Sequence, residues 1–177
     1  MSLEAHEEPP LPGAVKAQQS VTADWSVLRP EIDGVELIEV RNVLRDSGHV
    51  TEVLRAEWFA QAPTIDQVFQ TTLEAGALSA WHAHLRTTDR LFVTSGQVKI
   101  VLFDARPDSS TRGRVAEFRL GERRPGLVIV PPGVWHGIKN LHARPSTVLN
   151  IVDRAYEYDD PDHWRLPPDA PQIPYVL

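Results

Sequence analysis

Cysteine is absent from the 177 residues, and with it go disulfides, thiolate nucleophiles and cysteine-bound zinc. A chain without thiols fits a reducing compartment. Excess positive charge is missing too. The formal net charge of −6 leaves no electrostatic footprint for nucleic acid or an anionic membrane surface. No window approaches the ~18 consecutive apolar residues of a membrane span. The first residues lack the basic segment and apolar run of a secretory signal. The expectation is a soluble cytoplasmic protein with neither nucleic acid nor membrane as partner. Helical periodicity is scarce and no internal repeat is evident, while the length suits one domain with a substantial core.

What is present is a succession of short strand-like segments. Residues 1–30 form an expected N-terminal arm, flexible or extended, since its early part is polar and carries Pro9, Pro10 and Pro12; such an arm can also add to a neighbouring subunit. Residues 31–177 form the expected domain. Strands are expected over 35–40, 50–59, 64–73, 115–120, 126–130 and 146–152, with a turn at Arg45-Asp46-Ser47-Gly48. Leu91-Phe92-Val93, the turn Thr94-Ser95-Gly96 and residues 97–103 read as a hairpin. Residues 104–113 are a long turn, and 159–174, with five prolines among acidic residues, read as extended coil. Strands this short at this spacing predict an all-β sandwich or barrel.

One spacing stands out: Gly76, His82-Ala83-His84, Asp89 and Gly96, followed by Pro131-Pro132-Gly133-Val134-Trp135-His136 and Asn140. On a strand His82 and His84 share a face. Two imidazoles so placed hold one metal ion if a neighbouring strand supplies a third ligand, and His136 is the candidate. Asp89 is either the fourth ligand or a carboxylate that hydrogen-bonds a ligating imidazole. Trp81 and Trp135 fall on the opposite face, for core packing or a subunit interface. Asn140 reads as a turn residue holding its own backbone. Glu57, Arg86 and Arg90 are candidate pocket residues, although alternation turns Arg90 away from Asp89. Tyr156 and Tyr158 are read as surface tyrosines near a barrel mouth. His6, His49, His142 and His163 receive no role.

These two clusters resemble the motifs of the cupin superfamily, with Asp89 where glutamate is usual. The resemblance implies a single double-stranded β-helix (jelly-roll) barrel, commonly dimeric. It also implies iron, manganese, nickel or zinc on three histidines and a carboxylate. From about Ile32 onward the chain resembles the dTDP-4-dehydrorhamnose 3,5-epimerase family. The pieces are Ile32-Asp33-Gly34-Val35, Asp104-Ala105-Arg106 with Ser109-Ser110-Thr111-Arg112-Gly113, Val130-Pro131-Pro132-Gly133 leading to His136-Gly137, and Tyr156-Glu157-Tyr158 with Asp160-Pro161. That family works without metal on nucleotide-linked keto sugars, using a histidine base, a tyrosine acid, a lysine for the enolate and arginines for the diphosphate.

Here the base position is His82, the lysine position Asp89, and the tyrosine position Asn150, or Leu149 if the register slips by one. Two arginine positions hold Ser79 and Ser47. An anion at Asp89 opposes an enolate that a cation would stabilise. The resemblance therefore implies a homodimeric sugar or keto-sugar epimerase or isomerase acting on a small molecule, with a histidine-rich site holding a divalent transition metal on His82, His84, Asp89 and His136. In a metal-free site His82 is the catalytic base. A metal-dependent oxygenase and a non-catalytic carbohydrate- or metabolite-binding cupin are the alternatives.

Overall fold

Apolar residues recur at every second position along the longest strands, as in Val98-Ile100-Leu102 and Ala116-Phe118-Leu120, and this period buries one face of each. The structure is a computed structural model and describes residues 11–61 and 63–177. Twelve strands are seen among them: β1 (Glu36–Glu39), β2 (Asn42–Arg45), β3 (Gly48–Thr51), β4 (Gln67–Leu73), β5 (Leu78–Ala83), β6 (Asp89–Ser95), β7 (Gln97–Asp104), β8 (Val115–Gly121), β9 (Gly126–Val130), β10 (Val134–Asn140), β11 (Ser146–Val152) and β12 (Trp164–Arg165). The one helical element described is a single 3-10 turn at Ala56–Trp58. No helix among the described residues is long and apolar enough to cross a membrane.

The strands form two antiparallel five-stranded sheets, ordered β1-β9-β6-β11-β4 and β12-β5-β10-β7-β8, plus the separate hairpin β2-β3. Their facing sides enclose a core of Leu91, Val93, Val98, Ile100, Leu102, Leu120, Val148 and others. This is the expected all-β cupin barrel. Residues of opposite parity on β7, Val101 and Phe103, pack on the outer side instead. There Trp81, Ala170 and Ile173 join them in a second apolar cluster, edged by Trp135 and Tyr175. Core packing is thus the work of Trp81, and Trp135 packs against it.

Three local expectations change. The 91–103 segment is no hairpin: β6 pairs with β11 and β9, whereas β7 pairs with β10 and β8. Gly96 turns the chain from one sheet to the other, with φ at +75° and Ser146 Oγ only 2.0 Å from where a Cβ would stand. Only glycine fits that corner. The strand expected over 50–59 stops at Thr51, because β3 has only β2 to pair with; beyond it Arg55 is held locally by Glu52 and Glu57. Residues 159–174 are not free coil. Trp164 and Arg165 pair with Ala83 and His82, and Leu166 exchanges backbone hydrogen bonds with Trp81.

Residues 1–10, the first part of the expected arm, and His6 with them, lie outside the described residues. From Leu11 to Pro30 the chain is mostly exposed, with one local turn in which Thr22, Asp24 and Ser26 bond one another. The 104–113 turn is locked from within. Asp104 is fully buried, and Arg106, Ser109 and Thr111 all donate to its carboxylate. Burial alone would raise its pKa, but those donors outweigh burial and bring it below the usual carboxylate range.

Candidate functional site

β10 lies between β5 and β7, so the two histidine-bearing segments are neighbours, with His136 directly opposite His82. The Pro-Pro-Gly turn is tied to the first cluster as well: the Gly133 N–H donates to the His84 carbonyl at 2.6 Å. β6 from the other sheet brings Asp89 across the barrel. A cavity of about 250 Å³ opens here, lined by His82, His84, Asp89 and His136. All four residues expected from the sequence therefore meet in one cavity.

They do not meet as one set of four. His84, Asp89 and His136 each point one ligand atom at a common space, all within 4.8 Å of one another. Asp89 Oδ2 is 3.5 Å from His84 Nε2 and 3.9 Å from His136 Nε2. Both separations exceed a hydrogen bond. The far side of each group is already held. His84 Nδ1–H donates to the Asp162 carbonyl, His136 Nδ1–H donates to the Val134 carbonyl at 3.3 Å, and Asn150 Nδ2 donates to Asp89 Oδ1 at 2.7 Å. A carbonyl only accepts, so each imidazole keeps its proton on Nδ1 and, when neutral, turns a lone pair on Nε2 inward. Burial, against a smaller opposing pull from Asp89, holds the His136 pKa below its ordinary value. With both rings neutral, three acceptors converge with no donor between them, and Asp89 is only 2% exposed.

His82 stands beside this cluster with both nitrogens engaged elsewhere: Nε2 lies 2.8 Å from Ser79 Oγ and Nδ1 lies 2.9 Å from His163 Nε2. Ser79 and His82 are three residues apart and would point to opposite faces of a regular strand. A register shift in the β5–β10 pairing, where Ile138 faces Ser79 while His136 faces His82, brings both into the cavity. Burial first, then His136, His163, Arg165 and His84, push the His82 pKa down to about 3. The ring is neutral at physiological pH.

His163 is the residue that sequence reasoning missed. It sits on the segment that pairs with the edge of β5, and Asp162 beside it accepts the Leu85 and Arg86 N–H groups at 2.8 and 2.7 Å. A short Trp164-Arg165-Leu166 run between prolines gave no signal of a partner. Arg86 and Tyr156 do line the rim. Glu57 does not; it is exposed and bonds Arg55, which removes it from the candidate pocket residues. Arg90 faces away, over the Phe59 ring. Tyr158 is 86% exposed, edge-on to Tyr156. Asn140 holds its own turn, accepting from the His142 N–H and donating to the Arg144 carbonyl.

Comparison with known proteins gives a consistent picture. The model of the dTDP-4-dehydrorhamnose 3,5-epimerase family matches residues 29–174. The chain is 31% identical over 141 residues to the probable low-salt glycan biosynthesis epimerase Agl13 of Haloferax volcanii, covering 79% of this chain and 90% of that protein. It is 32% identical over 147 residues to the spore coat polysaccharide biosynthesis protein SpsL of Bacillus subtilis, covering 80% and 93%. Among solved structures, a dTDP sugar isomerase from Desulfovibrio desulfuricans superposes with a TM-score of 0.77 at 30% identity, covering 85% of this chain and 94% of that one.

Proposed function

The chain belongs to the dTDP-4-dehydrorhamnose 3,5-epimerase family, and we propose that it is a carbohydrate epimerase or isomerase that removes a proton beside the keto group of a nucleotide-linked sugar. The supporting observation is the division of the cavity into two parts, a neutral imidazole at His82 and a separate cluster of three acceptors.

His82 is the base. In the tautomer that donates Nδ1–H to His163, its Nε2 lone pair faces the Ser79 hydroxyl and the cavity. His84, Asp89 and His136 fit a divalent transition ion. Two donor atoms on one ion at about 2.1 Å lie roughly 3.0–3.5 Å apart, close to the 3.5 and 3.9 Å seen here. Their outer hydrogen bonds are those that orient metal ligands. When bound, such an ion supplies the positive charge that polarises a carbonyl, at the place where the family resemblance put a lysine. Asn150 holds the Asp89 carboxylate in register for it. The reading separates two roles that a four-ligand set would have merged, because His82 remains outside the ion's reach. We take the working unit to be a cytoplasmic homodimer. Val43, Leu44 and Val50 of the exposed β2-β3 hairpin support the second copy.

The test is proton exchange in heavy water with dTDP-4-keto-6-deoxyglucose, together with elemental analysis of the purified protein beside His84→Ala. The expected results are deuterium at the carbon beside the ketone, lost in His82→Ala, and near one equivalent of metal, lost in His84→Ala. No deuterium in the sugar would exclude proton abstraction from that substrate. No metal, even after incubation with divalent ions, would return the site to His82 alone. A two-histidine, one-carboxylate set is also that of non-haem iron oxygenases, and turnover that consumes dioxygen would favour that chemistry.

A further inference from the structure

The three converging groups are not held equally by the sheets. Asp89 and His136 stand on strands paired from both sides. Asp89 faces Val130 of β9 and Val152 of β11, and His136 faces His82 of β5 and Leu102 of β7. His84 lies just past the last residue of β5, where a short loop crosses from one sheet to the other and ends at Asp89. Two of the three groups therefore sit at the two ends of one crossing, and their separation depends on the path of Leu85-Arg86-Thr87-Thr88. That path is set by side chains from outside the loop. The Leu85 and Arg86 N–H groups donate to the two oxygens of the Asp162 carboxylate at 2.8 and 2.7 Å. Thr87 Oγ1 donates to the same carboxylate at 3.2 Å, and the Thr88 N–H donates to Asp153 at 2.9 Å. Asp162 also takes hold of the ligand itself, because its main-chain carbonyl accepts from His84 Nδ1–H. One residue thus grips the ring from behind and the backbone beside it.

From this double grip we infer that Asp162 is a positioning residue for the proposed ion: it fixes His84 relative to Asp89, and through it the C-terminal segment becomes part of the ion's site. The inference rests on the reading of His84, Asp89 and His136 as ion ligands. His84 Nε2 and Asp89 Oδ2 stand 3.5 Å apart, and ligand distances on one ion are held to within about 0.2 Å, so a small displacement of the crossing loop spoils the set. Asp162 is itself anchored by the residues that follow it. Trp164 and Arg165 pair with the edge of β5, Leu166 exchanges backbone hydrogen bonds with Trp81, and Ile173 is buried in the outer apolar cluster. The fold has little need of the carboxylate. Leu85 and Arg86 are exposed, so water can satisfy their N–H groups when it is removed. Water does not impose the loop's path, and this contrast makes the role separable from stability.

The experiment titrates the full chain, stripped of metal by a chelator, with cobalt(II) chloride. It reads the affinity, the visible absorption of the bound ion and the melting temperature without metal. Asp162→Ala is expected to weaken cobalt binding by about 10–100-fold, the usual effect of removing a group that orients a ligand. The absorption, which follows ligand geometry, should change as well, while the metal-free melting temperature moves little. Asp162→Asn keeps one acceptor oxygen and should recover part of the affinity. Ile173→Val loosens the same segment at the outer cluster without touching the loop; it should lower the melting temperature and leave affinity and absorption as in the wild type. Equal affinities for the wild type and Asp162→Ala overturn the inference and leave the ligand reading intact. A loss in Ile173→Val as large as that in Asp162→Ala makes Asp162 an anchor of the segment alone, and overturns it too. No cobalt bound by the wild type overturns the ligand reading and this inference together. Should Asp162→Ala fail to fold, Asp162→Asn decides: weakened binding supports the role, and unchanged binding overturns it.

Discussion

Asn140 and Asn150 are both buried in the same barrel, yet one has every partner it needs and the other does not. Asn140, at the closed end, donates to the carbonyls of Leu73, Glu74 and Arg144 and accepts from the His142 N–H and the Ser146 hydroxyl. Asn150, near the mouth, makes one bond, to Asp89, and leaves Oδ1 unpartnered. The same contrast runs along single strands. β6 passes from Asp89 to Leu91 and Val93 on one face, and β10 from His136 to Ile138. Buried polar groups that serve the fold are satisfied by the fold. Those near the mouth converge as acceptors, and the missing partner has to come from outside the chain.

The comparison can be broken at either end. The largest effect is expected from His82→Ala, which should cut proton exchange by about 10²–10⁴-fold, the usual worth of a general base, with little change in the melting temperature; a stability loss matching that of a core truncation would make His82 a structural residue instead. At the closed end Asn140→Ala should do the reverse. Each carbonyl left buried without a donor costs about 1–3 kcal/mol, so denaturant unfolding should show a loss of several kcal/mol, while exchange per folded molecule is retained.

Asp104→Asn tests a polar group satisfied in the same way as Asn140. Its carboxylate is held below its ordinary pKa by Arg106, Ser109 and Thr111 against the pull of burial. The stability it contributes is therefore complete above the unfolded value near 4 and is lost as the pH falls below it. Wild type and variant should differ by about 2 kcal/mol at neutral pH, and their melting curves should approach each other in acid. A gap independent of pH would show that the charge of Asp104 contributes nothing.

The smallest effect is expected at the mouth. Asp89→Asn replaces one of three converging acceptors by a possible donor, so the metal-free protein should melt at the same temperature or slightly higher. The stabilisation given by added divalent ion, about 2.7 kcal/mol at a hundredfold excess over Kd, should vanish. A marked loss of stability in the metal-free variant would mean that the cluster is already satisfied within the chain.

Much of this was legible in the residues. Period-two apolar patterning read out most strands of the barrel, and the spacing of His82, His84, Asp89 and His136 named four residues that do line one cavity. The Gly96 corner was misread because a tight turn between two apolar runs looks alike whether the chain stays in its sheet or crosses to the other. Only the clash of a Cβ with Ser146 distinguishes the two. Strand periodicity also had no means of placing Ser79 beside His82, since that depends on a register shift against β10.

By itself, then, the sequence determined the all-β class, the family and the group of side chains available for chemistry, because these follow from local pattern and spacing. Tertiary structure alone decided how that group divides. It set His84, Asp89 and His136 together and paired His82 with His163, through contacts between segments as distant as β5 and the chain's C-terminal part. The physical reason is that a side chain's tautomer and open lone pair are set by what lies on its far side, and that neighbour is chosen by how the sheets meet.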